Sequence, residues 1–193
     1  GYEEYDAVVD SDNKIWRFQN IVLPLTVVAT KCKGVFMLPD RSSIFSFLKN
    51  HKVYPSLYDG INLRMFSESG LYGNLNRPGV VQGLKAPIQG CKYIQNWIKE
   101  NDIKDPIVSI TLRQFGFDKA RNSKISEWSP VPKHILESGF FPVIIPDTDK
   151  ALVSNELFKD SYIFTECAWN MGLRMALYEA SFVNFFVVNG PGQ

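Results

Sequence analysis

Cysteine is scarce: only Cys32, Cys91 and Cys167 occur in 193 residues. They stand far apart with no C-x-x-C pair, so their spacing builds neither a disulfide framework nor a zinc site. An odd count of isolated thiols suits a reducing compartment, where buried cysteine is the plain reading. Histidine is scarcer still, and neither His51 nor His134 has a partner in its neighbourhood. A Ser-His-Asp or Cys-His centre therefore has little support. The H-E-x-x-H and calcium-loop spacings are missing, as are G-x-G-x-x-G and G-x-x-x-x-G-K-[ST]. Charge of one sign is missing too, with a net +1 from 21 basic and 20 acidic residues. No global field then favours nucleic acid or an anionic membrane. No apolar run is long enough to span a bilayer, and no basic-then-apolar leader opens the chain. The expectation is a cytoplasmic protein without a transmembrane segment or a nucleic-acid partner. The absence of an initiating methionine, and a stop directly after a hydrophobic run, read as a piece of a longer chain.

What is present is an alternation of strand-like and helix-like segments, supported by 45% hydrophobic residues. A short strand over 5–9 precedes a helix over 16–30, with Pro24 as a possible kink site. Gly34 opens an apolar strand over 35–38, of the kind buried between two helical layers, and a short helix follows over 41–49. From His51 to Gly79 the chain is rich in Tyr, Gly, Asn, Ser and Pro, a long loop that either faces a ligand or merely connects. An amphipathic helix spans 84–99 with Pro87 in its first turn. A β-branched strand over 107–112 comes next, then a helix within 125–138 starting near Val131 and stopped by Gly139. Strands over 140–145, 161–164 and 183–188 complete the pattern, with a helix over 169–181 turning Leu173, Ala176, Leu177 and Ala180 inward. Strand and helix in alternation predict an α/β fold built on parallel sheets flanked by helices. Two halves are expected, 1–80 and 81–193.

The candidate site follows the strand over 107–112, because ligands of open α/β sheets sit beyond the carboxyl ends of strands. Arg113 ends that strand, and Arg121-Asn122-Ser123 closes the loop after it. Two guanidiniums, an amide and a hydroxyl suit a phosphate or diphosphate; a surface ion pair for Arg113, and helix capping by Asn122 or Ser123, are the rival readings. Asp147 and Thr148 end another strand on the same rim and equally suit a helix cap. Asn189-Gly190-Pro191 is a turn whose amides are able to approach a phosphate, or an ordinary strand-to-helix turn. Arg174 shares a helical face with Tyr178, whereas Glu179 lies round the helix from it; solvated charge is the bland reading for both. Asp10-Ser11-Asp12 after an apolar strand has the form of a metal-holding D-x-D, though turn chemistry explains it as well. Asp118, Glu127 and Glu166 are the carboxylates available as a general base.

Several stretches together resemble a group of mainly bacterial GT-B-type glycosyltransferase-like proteins of surface-polysaccharide type, distantly similar to fucosyltransferases. They are Ser109-Ile-Thr-Leu-Arg113, Ala120-Arg-Asn-Ser123, Trp128, Pro142-Val-Ile-Ile-Pro-Asp-Thr148, Leu173-Arg-Met-Ala-Leu-Tyr-Glu179 and Asn189-Gly-Pro191, with Trp16-Arg-Phe-Gln-Asn-Ile-Val-Leu-Pro24 earlier. The resemblance implies two Rossmann-like halves, here incomplete, and polysaccharide biosynthesis as the setting. It implies a nucleotide-sugar donor in the C-terminal half and a glycan or other hydroxyl acceptor facing the N-terminal half. Arg113 matches an arginine that meets the donor diphosphate, and Arg121 is carried over beside it as catalytic. Asn122, Ser123, Asp147, Thr148, Arg174, Glu179, Asn189 and Gly190 become donor-binding candidates. No metal and no cofactor beyond the donor are implied. A metal-dependent transferase using Asp10 and Asp12, and a non-catalytic carbohydrate-binding or assembly module, stand as alternatives.

Overall fold

The computed structural model describes residues 5–10, 18–29, 32–51, 84–116, 119–152 and 158–186. The chain divides into two compact units, Gly1–Leu84 and Lys85–Gln193. In the first, strand β1 (Tyr5–Asp10) pairs in parallel with β2 (Cys32–Leu38). Between them a π-helical turn, Phe18–Val22, runs into helix α1 (Leu23–Val28). Pro24 lies in the first turn of α1, where a missing N–H removes no helical hydrogen bond, so the irregularity precedes it. Helix α2 (Arg41–Leu48) begins at Asp40, whose Oδ1 accepts from the Ser43 amide at 2.7 Å and the Ser42 hydroxyl at 2.6 Å. Those bonds hold the Asp40 carboxyl below its ordinary pKa. The expectation of a buried strand over 35–38 is corrected: Phe36 and Met37 are 45% and 56% exposed. Only two strands make this sheet among the described residues, and no helical layer among those residues fully covers Phe36 and Met37. The long loop over 51–79 falls almost wholly outside the described residues.

The second unit is a four-stranded parallel sheet flanked by helices. Helix α3 (Ile88–Glu100) leads into β3 (Ile107–Thr111), then α4 (Ile125–Trp128), α5 (Val131–Glu137) and β4 (Phe141–Ile145). A short β5 (Tyr162–Ile163), helices α6 (Glu166–Trp169) and α7 (Met171–Ala180), and β6 (Val183–Phe186) complete it. Strand alternation sorts the core. Ile107, Val143 and Ile145 pack with Ile94 and Trp97 of α3 and Leu173 and Leu177 of α7. Val108, Ile110, Leu112 and Ile144 face the other way, onto Ile135 of α5 and Phe158. With both faces covered, β3 is buried from end to end, as its β-branched run predicts.

Local chemistry marks the element ends. Gly139 takes φ +79° just after α5, a left-handed conformation that stops the helix without Cβ strain. The expected helix over 84–99 begins only at Ile88, because Pro87 takes an extended conformation and serves as its N-cap. Gly90 allows α3 and α7 to approach closely: a Cβ there would sit 2.8 Å from the Gly172 carbonyl oxygen. Ala180, expected to face inward, is exposed at the end of α7.

Strand order is β5-β4-β3-β6. The chain moves outward from β3 to β4 to β5, then α6 and α7 carry it back so that β6 pairs with the other side of β3. The order therefore reverses at β3, the position at which open α/β sheets leave a crevice beyond the strand ends.

Candidate anion-binding edge of the second unit

The loop after β3 is tied shut at its base. Arg113 donates its amide to Ser123 Oγ at 2.8 Å, and the Ser123 amide returns a bond of 2.8 Å to the Arg113 carbonyl. Within that closure Asn122 acts like a piece of facing strand. Its Oδ1 accepts from the Phe115 amide at 3.1 Å, and its Nδ2 donates to the Phe115 carbonyl at 2.9 Å. The same Oδ1 accepts from Arg113 Nη1 at 2.7 Å. Arg113 is thereby held with only 9% of its surface exposed. The capping alternative is corrected, since the N-cap of α4 is Lys124, with no side-chain cap bond, and Asn122 and Ser123 spend their groups on the loop instead.

Asp147 braces this loop from the end of β4. Its Oδ2 accepts from the Gln114 amide at 2.9 Å and its Oδ1 from the Thr148 amide at 2.7 Å, capping a 3-10 turn over Thr148–Lys150. Thr148 itself is exposed. Between the two loops lies an open cleft of about 590 Å³ lined by Gln114, Phe115, Lys119, Asn122, Asp149 and Lys150, among others. Lys119 and Lys150 give it cationic walls and Phe115 an aromatic one, with Asp149 as an acceptor among them. Sequence reasoning did not single out these four residues; their signal was position alone, each standing in the loop that follows the carboxyl end of β3 or β4.

Arg121, Arg174 and Glu179 do not join that cleft. Arg121 is exposed on the 3-10 turn Lys119–Arg121. Arg174 is 8% exposed on α7, across the sheet from the cleft, rather than a solvated charge. Its Nε donates to the Cys167 carbonyl and its Nη2 to the Ala168 carbonyl, both at 2.6 Å, closing the end of α6. Glu179 lies near the amino ends of the strands, close to where Phe182 donates to the Ile107 carbonyl, and its Oε1 accepts the Ala86 amide at 2.7 Å. Asn189, Gly190 and the Asp12 of the D-x-D pattern lie outside the described residues. Among the described residues no cluster of three or more His, Cys, Asp or Glu is arranged to hold a metal ion.

A buried polar column on the α7 side of β3 went unread in the sequence. Ser109 Oγ bonds Asn184 Oδ1 on β6, and Asn184 Nδ2 donates to the Tyr178 carbonyl at 3.1 Å. Thr111 Oγ1 meets the Tyr178 hydroxyl at 2.7 Å. Burial raises the Tyr178 pKa, and it pushes the neighbouring Cys167 thiol up to about 12, against the pull of the Arg174 charge. Ser109 and Thr111 alternate along an otherwise apolar strand, so the pattern marked one face as polar.

Order, direction and edge define the second unit as a parallel, Rossmann-like α/β unit with a loop-closed rim at its carboxyl edge. Compared with protein-family models, with curated proteins and with solved structures, the chain matches none of them.

Proposed function

We propose that the chain transfers a sugar from a nucleotide-sugar donor to a glycan or similar hydroxyl acceptor, and that the rim of the second unit receives the donor diphosphate. The carrying observation is Arg113, fixed and nine-tenths buried at the carboxyl end of the strand where the sheet order reverses. A guanidinium held by Asn122 needs no reorganisation when negative charge develops on a leaving diphosphate. Arg121 and Lys119 on the adjoining turn, and Lys150 across the cleft, add to that field. Asn122, Ser123 and Asp147 serve by holding the loop, with Thr148 at the start of the opposing turn. Phe115 offers a face for a base or sugar ring. The setting is surface-polysaccharide synthesis in the cytoplasm, with the acceptor taken by the first unit; no helix among the described residues is long and apolar enough to cross a membrane.

Calorimetric titration with GDP and UDP is the test. Native chain is expected to bind one of them, and Arg113→Ala to weaken that binding by about tenfold to a hundredfold, as loss of a charge-assisted bond does. Melting curves run alongside separate lost binding from lost fold. Absence of affinity for both nucleotides in the native chain would end the proposal.

A further inference from the structure

The cleft between the loops after β3 and β4 holds charges of both signs that do not pair. Lys119 and Lys150 line it together with Asp149 and Phe115. Among the described residues the side chains of Lys119, Asp149 and Lys150 make no hydrogen bond and no ion pair. A diphosphate alone would use the lysines and be repelled by the carboxylate. Cations and a carboxylate kept apart in one cleft suit a ligand that is itself divided, anionic in one part and bearing N–H groups in another.

Both walls are held in place by other residues. Asn122 fixes the backbone of Phe115, and Asp147 holds the Gln114 amide as well as the Thr148 amide. Asp147 thereby ties the turn that carries Asp149 to the loop that carries Phe115. Because Asp147 already caps that turn, Asp149 keeps only a weak electrostatic role in it. Its carboxylate is left to the cleft. A carboxylate only accepts, and its two oxygens match a parallel pair of N–H donors. Among the four common nucleobases guanine alone sets two donors side by side on its pairing edge, the ring N1–H and the amino group. Uracil offers one N–H between two carbonyls, so a carboxylate oxygen would face a carbonyl oxygen. Adenine and cytosine place a bare ring nitrogen beside the amino group, which repels in the same way. Phe115 supplies the aromatic neighbour on which a flat base packs.

We propose that Asp149 makes this cleft selective for guanine, its carboxylate accepting the N1–H and amino donors of the base while Lys119 and Lys150 meet the phosphates. The assignment rests on the donor-site reading above and names the nucleotide for it, a guanosine diphosphate. A carboxylate that merely repels phosphate would act alike on every nucleoside diphosphate, which separates the two roles.

Calorimetric titration of the 193-residue chain with GDP, inosine diphosphate and UDP decides the matter, using the native sequence, Asp149→Ala and Asp149→Asn. Inosine diphosphate keeps the ring N–H of guanine and lacks its amino group. The native chain is expected to bind GDP about tenfold or more tightly than UDP, with inosine diphosphate between them. In Asp149→Ala the three affinities should converge. Asp149→Asn, of the same shape, keeps one acceptor but turns a donor towards the base, so it should lose the preference as well. The ratio of affinities is the readout, because removing a charge near the phosphates shifts all three together. Asp149 is exposed, and melting curves confirm that each variant folds. Equal binding of GDP and UDP by the native chain, or a preference for GDP that survives intact in either folded variant, overturns guanine selectivity and leaves the donor reading standing. Failure of the native chain to bind either GDP or UDP overturns both.

Discussion

Asn122→Ala should loosen the rim without unfolding the sheet. The substitution removes three hydrogen bonds: to the Phe115 amide at 3.1 Å, to the Phe115 carbonyl at 2.9 Å and from Arg113 Nη1 at 2.7 Å. Neutral bonds contribute about 1 kcal/mol each and one to a charged group about 1.5–3, so the undiscounted loss is roughly 3.5–5 kcal/mol. Asn122 is half-buried beside an open cleft, where water re-satisfies part of what is freed. The expected loss is then about 2–3 kcal/mol, felt first in the loop. Hydrogen exchange reads it directly: the Phe115 and Ser123 amides should lose protection while Ile110 and Ile144 keep theirs. Asn122→Asp is the control, because it retains the acceptor for Arg113 and for the Phe115 amide but has no group to donate to the Phe115 carbonyl. Phe115 protection should fall between those of the native chain and Asn122→Ala. Unchanged exchange at Phe115 in Asn122→Ala would refute the idea that this side chain closes the loop.

Gly90→Ala should destabilise the second unit despite the better helix former. Alanine gains about 1 kcal/mol of propensity. The Cβ, however, would approach the backbone Gly172 oxygen to 2.8 Å, a partner that cannot swing away, and overpacking costs about 1–3 kcal/mol; urea unfolding measures the balance, and a stabilised variant would mean the helices can part cheaply. For Cys167 the folded pKa, about 12, lies above the ordinary thiol value, so the buried neutral thiol contributes stability that is whole below about pH 8.5 and is lost as pH rises towards 12. Unfolding free energy should therefore fall through that alkaline range, and iodoacetamide at pH 8 should spare Cys167 in the native state; rapid native-state labelling would contradict its burial.

The elements were largely legible from local chemistry. The β-branched run from Ile107 declared a buried strand, Gly139 a helix stop and Asp147 a capping position, because each depends on neighbours within a few residues. Arg113, Asn122 and Ser123 were also legible as a cluster, since a loop returning ten residues later brings them together. Their division of labour was not: the same amide and hydroxyl could cap a helix, bind an anion or close the loop. Only the spacing between Phe115 and Asn122 in three dimensions chose the last.

Sequence by itself determined the α/β alternation, the parallel strands and the strand after which Arg113, Asn122 and Ser123 would gather, all consequences of periodicity and backbone preference. Tertiary structure decided which polar groups meet. Ser109 finds Asn184 across 75 residues and Thr111 finds Tyr178 across 67, pairings set by β6 returning to the far side of β3. That return buries Arg174 against the end of α6 and leaves Glu179 at the opposite edge, although five residues of one helix separate them. Helical phase and sheet order, rather than residue type, assign each charge to its place.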